Sequence, residues 1–463
     1  MHHLLSRQHT YDLEEKITHS QSITLEQLMI EAGASIWHQS IHHYGAMPKT
    51  VCIFLGSGNN AGDALIFALH AIKQGVNVEL IQVSPPKSNL LKHVIRNNPK
   101  LKQLFLEKPS MNHYDIIIDG MFGIGYKLQQ NEKMNHWINI FNQLNGFKIA
   151  VDIPSGIDAN SGYAYQYCIV DMTITFFAKK IGHLFSFGKS AQRKIIISLK
   201  HYFDNQYGYN EISYVKLEDR VAHVHKYQCG NVSVIGGSQG MEGAGLLSAL
   251  AALRSGVGLS QYYFLGNLTA NEEPSLITAK FEADYIKTFI MQNTVCVIGP
   301  GLNEVDAKEV ISHCINRDLI MVLDAGILSV LPENYDFNNT CVLTPHIGEA
   351  AKLLNVTNEY VLVNPIEAAL NLNEKYRTPI ILKGASSVIV YNGMISFITN
   401  GDPCLATAGS GDVLAGITAG YIARYGFSKQ VIEQAVFKHA QLGNYWARNK
   451  KTNLIASDLL KGI

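Results

Sequence analysis

The sequence predicts an α/β protein made of two successive domains, and three observations carry that prediction. Apolar, β-rich runs alternate with helix-patterned stretches along most of the chain. The alternation comes in two series, separated by the polar stretch KLEDRVAHVHKYQCG (216–230). The length, 463 residues, suits two or three domains. The boundary is placed near 205–225, giving domains over 1–215 and 220–463.

In the first series the expected strands are VCIFL (51–55), NVELIQV (77–83), YDIIID (114–119) and FKIAVDI (147–153). The stretch GDALIFALHAIKQG lies between the first two. Leu65, Ile66, Leu69 and Ile72 recur there at helical spacing, and Gly75 suits a C-terminal cap. Strand, helix and strand in this rhythm imply a mostly parallel sheet covered on both faces. In the second series the expected strands are 231–237, 294–299, 319–325 and 379–384, then a hairpin over 387–399 that turns on Asn392-Gly393.

Composition narrows the function. Lys plus Arg and Asp plus Glu each number 38, so the net charge is zero and no nucleic-acid or anionic-membrane partner is expected. No apolar run is long enough to span a membrane. The start, MHHLLSRQHTYDLEEK, lacks a secretory apolar region. Seven dispersed cysteines, none at C-x-x-C spacing, read as reduced thiols, so a cytoplasmic location is expected. His38, His42 and His43 lie at helical spacing; an exposed helix face is preferred over a metal site, since no carboxylate or Cys is near.

In the first half, FLGSGNNAGDAL (54–65) follows a strand and opens a helix. Gly56, Gly58 and Ala61 match the dinucleotide fingerprint of Rossmann-like α/β/α sandwiches, and Glu79 lies where a ribose-binding acid would sit. That reading gives an NAD-dependent dehydrogenase, although glycines also occur at such turns for steric reasons. Paired amides at Asn59-Asn60 and a carboxylate at Asp63 pull away from a bare phosphate loop. Asp119, Asp152 and Ser155 stand at or just beyond the ends of later strands, where open parallel sheets bind ligands. Helix capping or turn stabilisation is the alternative for any one of them.

GSGNNAGDAL, DGMFGIG and VDIPSGIDANSG, in that order, resemble the NAD(P)H-hydrate epimerase family over most of residues 10–215. The resemblance implies a potassium ion held by Asn60, Asp119 and Ser155. It also implies ligand contacts from Asn59, Asn60, Ala61, Gly62 and Asp63 and from the loop beginning Gly123, Ile124 and Gly125, with Asp152 as the catalytic or orienting acid. Three positions depart from the family pattern. Ala61 and Ala64 replace glycines, and Ile124 replaces a hydroxyl residue.

In the second half, LATAGSGDVLAG (405–416) puts small residues before a helix, with Asp412 in its first turn. Free amides at a helix N-terminus form an anion site and favour an ionised carboxylate. That arrangement suits phosphoryl transfer, with the amides holding charge and Asp412 taking a proton from the attacking hydroxyl. The alternative is an ordinary helix-start acid beside glycines needed for packing. FGKSA is no Walker A loop, because His183 stands where its first glycine belongs.

HKYQCGNVSVIGGSQGMEGA, GPGL, LTPHIGEAAKLL, ILKGASS and GDPCLATAGSGDVLAG together resemble the ADP- or ATP-dependent NAD(P)H-hydrate dehydratases, a branch of the ribokinase-like α/β/α fold, over about 220–463. The resemblance implies that Ala244, Asn303, His346 and Asp412 contact the hydrated nucleotide. Lys383, Gly384, Ala385, Ser386, Ser387 and Gly411 would hold ADP or ATP with Mg²⁺. Fusion of the two halves is the pattern of bacterial bifunctional repair enzymes, which suggests ADP as donor and a homo-oligomer. Two rivals remain: a sugar or vitamin-precursor kinase with a Rossmann partner domain, and a chain whose first half is an inactive scaffold.

Overall fold

The computed structural model describes all residues except 1, 21–22, 214–228, 269–272, 284–293, 315–318, 334, 339 and 450–452. The boundary stretch near 216–228, with the HKYQ motif at 225–228, therefore lies outside the described residues. The described chain divides into two compact units, His3–Tyr209 and Asn210–Ile463.

The first unit carries a seven-stranded sheet. In spatial order the strands are Phe105–Leu106, Asn77–Gln82, Thr50–Leu55, His113–Gly120, Asn145–Val151, Val170–Phe176 and Gln192–Ser198. All neighbours pair in parallel. Alternate residues of Thr50–Leu55 serve opposite faces. Val51, Ile53 and Leu55 join the core under helices Leu25–Tyr44 and Asn59–Lys73. Cys52 and Phe54 meet Met134, Ile138 and Phe141 of helix Glu132–Gln143. Chain order reverses between Thr50–Leu55 and His113–Gly120, so the cleft beyond their carboxyl ends is the expected ligand site.

The second unit repeats this logic. Its parallel strands run Ile277–Lys280, Leu259–Phe264, Asn231–Gly236, Thr294–Ile298, Ile320–Leu323, Cys341–Leu343 and Ile380–Leu382. The antiparallel hairpin Ser387–Tyr391 and Met394–Ile398 follows. Asn210 and Glu211 pair in parallel beside Ser396 and Phe397. The order reverses between Asn231–Gly236 and Thr294–Ile298.

The expected strands are present with ends shifted by at most two residues, and the hairpin turns on Asn392-Gly393, both with positive φ. Val170–Phe176, Gln192–Ser198, Leu259–Phe264 and Cys341–Leu343 were not expected as strands.

Candidate functional sites

At the switch point of the first unit, a cavity of about 570 Å³ opens beyond the strand ends. Gly56 is there for steric reasons: a Cβ on it would overlap the carbonyl of Met121 in the facing loop. Its amide is bonded to Gly120 O. Glu79 is buried and accepts from Ser110 N at 3.1 Å and Tyr114 Oη at 2.6 Å, so it is engaged inside the fold and faces no ribose. The dehydrogenase reading therefore loses both of its supports.

Asn59, Asn60, Asp63, Gly123, Ile124, Gly125 and Asp152 all line the cavity. Ala61 and Gly62, expected at the ligand, do not line it. Ala61 is fully buried in the core, and a Cβ on Gly62 would overlap Met29 of the neighbouring helix. Ala64 is likewise core, and both alanines sit in regular helix from Asn59 onward, so neither carries positive-φ strain. Ile124 packs with Ile153 and Ile157, which gives an apolar side chain a role at that position.

Asp119 is fully buried at the end of its strand. It accepts from Ser155 Oγ at 2.5 Å, Ser155 N at 2.7 Å and Met121 N at 3.2 Å. Burial raises its carboxyl above the usual range. Asn60 stands against Gly123, where a Cβ would lie 3.1 Å from its Oδ1. Its buried Nδ2 has no hydrogen-bond partner among the described residues.

Asp152 leaves its strand with φ 64°, a left-handed conformation costly for a non-glycine residue. Thr175 Oγ1 donates to its Oδ1 at 2.9 Å, and Lys180 Nζ pairs with the same oxygen. Lys180 is fully buried and also reaches Phe176 O at 3.0 Å. His183 braces the turn through Nε2 to Asp152 O at 2.8 Å, and burial lowers its pKa to about 4. Neither Lys180 nor Glu14, a further carboxylate lining the cavity, was singled out from the sequence.

In the second unit, three adjacent parallel strands each deliver a polar side chain from their carboxyl ends: Asp324, Thr344 and Lys383. Thr344 Oγ1 and Lys383 Nζ both donate to Asp324 Oδ1, at 2.7 and 2.5 Å. A Cβ on Gly411 would lie 3.3 Å from Lys383 Nζ and 3.8 Å from Asp324 Oδ2. The cluster therefore meets the N-terminus of helix Ser410–Tyr425, whose cap Gly409 has φ 87°. Burial, then Asp324, push the Asp412 carboxyl up to about 7, against the fully ionised state expected from the helix end alone. Ser410 Oγ is 3.1 Å from Nε2 of buried His439, whose pKa burial lowers to about 4. Asp324 and His439 had gone unnoticed in the sequence.

The other expected residues divide. Ala244 stands beside the 299–303 turn, 3.0 Å from where a Cβ on Gly301 would be. Asn303 caps helix Glu304–Cys314, accepting from Asp306 N at 2.9 Å, and its own amide reaches Ser238 Oγ at 2.9 Å. His346 is exposed, and its Nδ1 accepts from Gly348 N at 2.9 Å as a helix cap. Gly384 and Ala385 are exposed, whereas Ser386 is buried. The amides of Gly237 and Ser238 are bonded to Pro300 O and Gly301 O, which locks these two loops together.

Among the described residues no cluster of three or more His, Cys, Asp or Glu is placed to hold a metal ion, and no helix is long and apolar enough to cross a membrane.

A family model described as NAD(P)H-hydrate dehydratase matches residues 232–463, and one described as YjeF-related protein N-terminus matches 25–182. An Archaeoglobus fulgidus protein named as a bifunctional NAD(P)H-hydrate repair enzyme is 31% identical, covering 94% of this chain and 92% of its own. A protein of the same name from Coxiella burnetii is 29% identical over 96% and 95%. The chain belongs to the bifunctional NAD(P)H-hydrate repair enzymes. It is thus a two-activity enzyme of that family, with an epimerase half before a dehydratase half. Among solved structures, a Bacillus subtilis ADP/ATP-dependent NAD(P)H-hydrate dehydratase co-crystallized with ATP/Mg²⁺ is 27% identical. It covers 53% of this chain and 91% of its own, with a TM-score of 0.48.

Proposed function

We propose that residues 1–215 epimerise hydrated nicotinamide nucleotides in the 570 Å³ cavity and that residues 220–463 dehydrate the S form at the Asp412 helix. The observation that carries the reading is Asp412 itself. It sits at an amide-rich helix start, beside the Asp324–Lys383 pair, and titrates at about 7, where a general base works best.

In the dehydratase half, the substrate hydroxyl attacks the terminal phosphorus of ADP or ATP while Asp412 takes its proton. The amides of Gly409, Gly411 and Asp412 hold the charge on the transferring group, while that of Ser410 is bonded to Thr407 O. The hydroxyl has then become a phosphate ester. The ring nitrogen's lone pair expels phosphate, a proton leaves the adjacent carbon, and the double bond returns. Lys383 to Ser387 and Gly411 hold the nucleotide; Ala244, Asn303 and His346 border the substrate. Asp324 has Oδ1 engaged and Oδ2 toward Gly411, a hard-oxygen donor suited to Mg²⁺, which would neutralise nucleotide phosphates.

In the epimerase half, Asn60, Asp119 and Ser155 fit potassium. They offer amide, carboxylate and hydroxyl oxygens, and the buried amide of Asn60 is short of a partner; a half-turn would present its oxygen. A bound potassium ion would place positive charge beside the substrate's phosphates. Asp152, tied to Lys180 and Thr175, orients rather than donates. A homo-oligomeric, cytoplasmic protein completes this reading.

The test is incubation of mixed R and S hydrates with ADP or ATP, following NADH absorbance. Complete recovery is expected, lost for both forms in Asp412→Asn and for the R form alone in Asp152→Ala. A stable phosphorylated product without NADH would mark an ordinary small-molecule kinase.

A further inference from the structure

The N-terminal cavity holds more carboxylates than ligand positioning requires. Glu14 enters from helix Arg7–Ser20, Asp63 from helix Asn59–Lys73 and Asp152 from the strand end, and all three line the cavity. Asp152 has its Oδ1 occupied by Lys180 and Thr175. No hydrogen bond ties the Glu14 or Asp63 side chain to the fold among those described, so both can reach a ligand. Asn60 lines the same cavity, and its buried Nδ2 has no hydrogen-bond partner among the described residues.

We propose that Glu14 and Asp63 form the acid–base pair of the epimerase and pass one proton between them through the substrate. This rests on the reading of the cavity as the epimerase site. One carboxyl, protonated, donates to the hydroxyl on the carbon beside the ring nitrogen. The carbon–oxygen bond breaks, water leaves, and the nitrogen lone pair forms a carbon–nitrogen double bond with positive charge. Water adds to the opposite face, the electron pair returns to nitrogen, and the other carboxylate takes the released proton. Microscopic reversibility exchanges the two roles in the opposite direction, so no oxidant or reductant enters.

The surroundings support this division. Burial, then Asp152, push Glu14 up to about 7, with Lys180 opposing. Burial, with Asp152 and Glu14 as like charges, raises Asp63 well above the usual carboxylate range. Burial and like charge therefore favour the protonated state of both carboxyls, which gives the pair the proton donor it needs. Tyr11, Lys87 and Tyr126 are further titratable groups that line the same cavity. The carboxylate left once the donor has given up its proton faces the cationic intermediate.

The test uses the full chain and measures R-to-S conversion directly by chromatography, above the spontaneous rate. Glu14→Gln and Asp63→Asn should each lower kcat by ~10²-fold or more, with KM little changed. Glu14→Asp should recover part of the loss. The wild-type kcat profile should be bell-shaped around neutrality, and each amide variant should lose one limb, which a merely structural role would not produce. In heavy-oxygen water, each epimerisation should incorporate label, and conversion without label would overturn the water-loss route. If both amide variants keep wild-type kcat while Asp152→Ala is inactive, the pair is wrong and the site stands. If all three remain active, the cavity is not the epimerase site.

Discussion

Asp412 offers the most exacting test, because its neighbours predict both the position and the movement of a pH limb. Its carboxyl titrates at about 7. As a base it works only when ionised, so roughly a tenth of the molecules are competent at about pH 6 and nine tenths at about pH 8. Dehydratase kcat should therefore rise about tenfold across that interval. Lys383 favours the carboxylate and Asp324 opposes it, and both charges stand against Gly411 in the same helical turn. Lys383→Met should move the limb up and Asp324→Asn should move it down. Each shift should be about one pKa unit, equivalent to about 1.4 kcal/mol. The assay is NADH recovery from the S hydrate at saturating nucleotide and Mg²⁺, across the pH range. Asp412→Asn should lose the limb and ~10²–10⁴-fold in kcat. Folding raises this pKa, so the ionised carboxylate costs stability as pH climbs above its unfolded value of about 4, and the cost is complete above about 7. Asp412→Asn should accordingly raise Tm at about pH 8 and leave it unchanged at about pH 4. Limbs that stay in place, or that move together in the two variants, would refute the assignment of Asp412 as base.

Two other substitutions separate packing from chemistry. Gly56→Ala puts a methyl into the Met121 carbonyl and should collapse the switch-point loops: epimerisation is lost, while the S hydrate is still repaired. Ala64→Gly should cost about 1 kcal/mol of stability, seen as a lower Tm, with epimerase KM unchanged, because the methyl lies in core and not at the ligand.

The site residues legible in the sequence were those adjacent to a recognisable turn. Asn60, Asp119, Asp152 and Ser155 each follow or end a β-rich run, and Asp412 follows two glycines at a helix start. A parallel strand points its carboxyl end at the cleft, so sequence position alone makes such residues candidates for the site. The unread strands had weaker local patterns, as LSQYYF (259–264) shows, where neighbours in the sheet decide the conformation.

By itself, then, the sequence determined two α/β units, their repeat of strand and helix, and the acids stationed at the turns. Those follow from short-range periodicity and backbone sterics. Only the tertiary structure decided that Glu14 shares a cavity with Asp152, that Lys180 neutralises that aspartate, and that Asp324 pairs with Lys383 beside Asp412. In the sequence Glu14 is one more charge between Leu13 and Ile17 on an amphipathic helix. Its proton affinity depends on burial and on charges from distant strands, which no local pattern encodes.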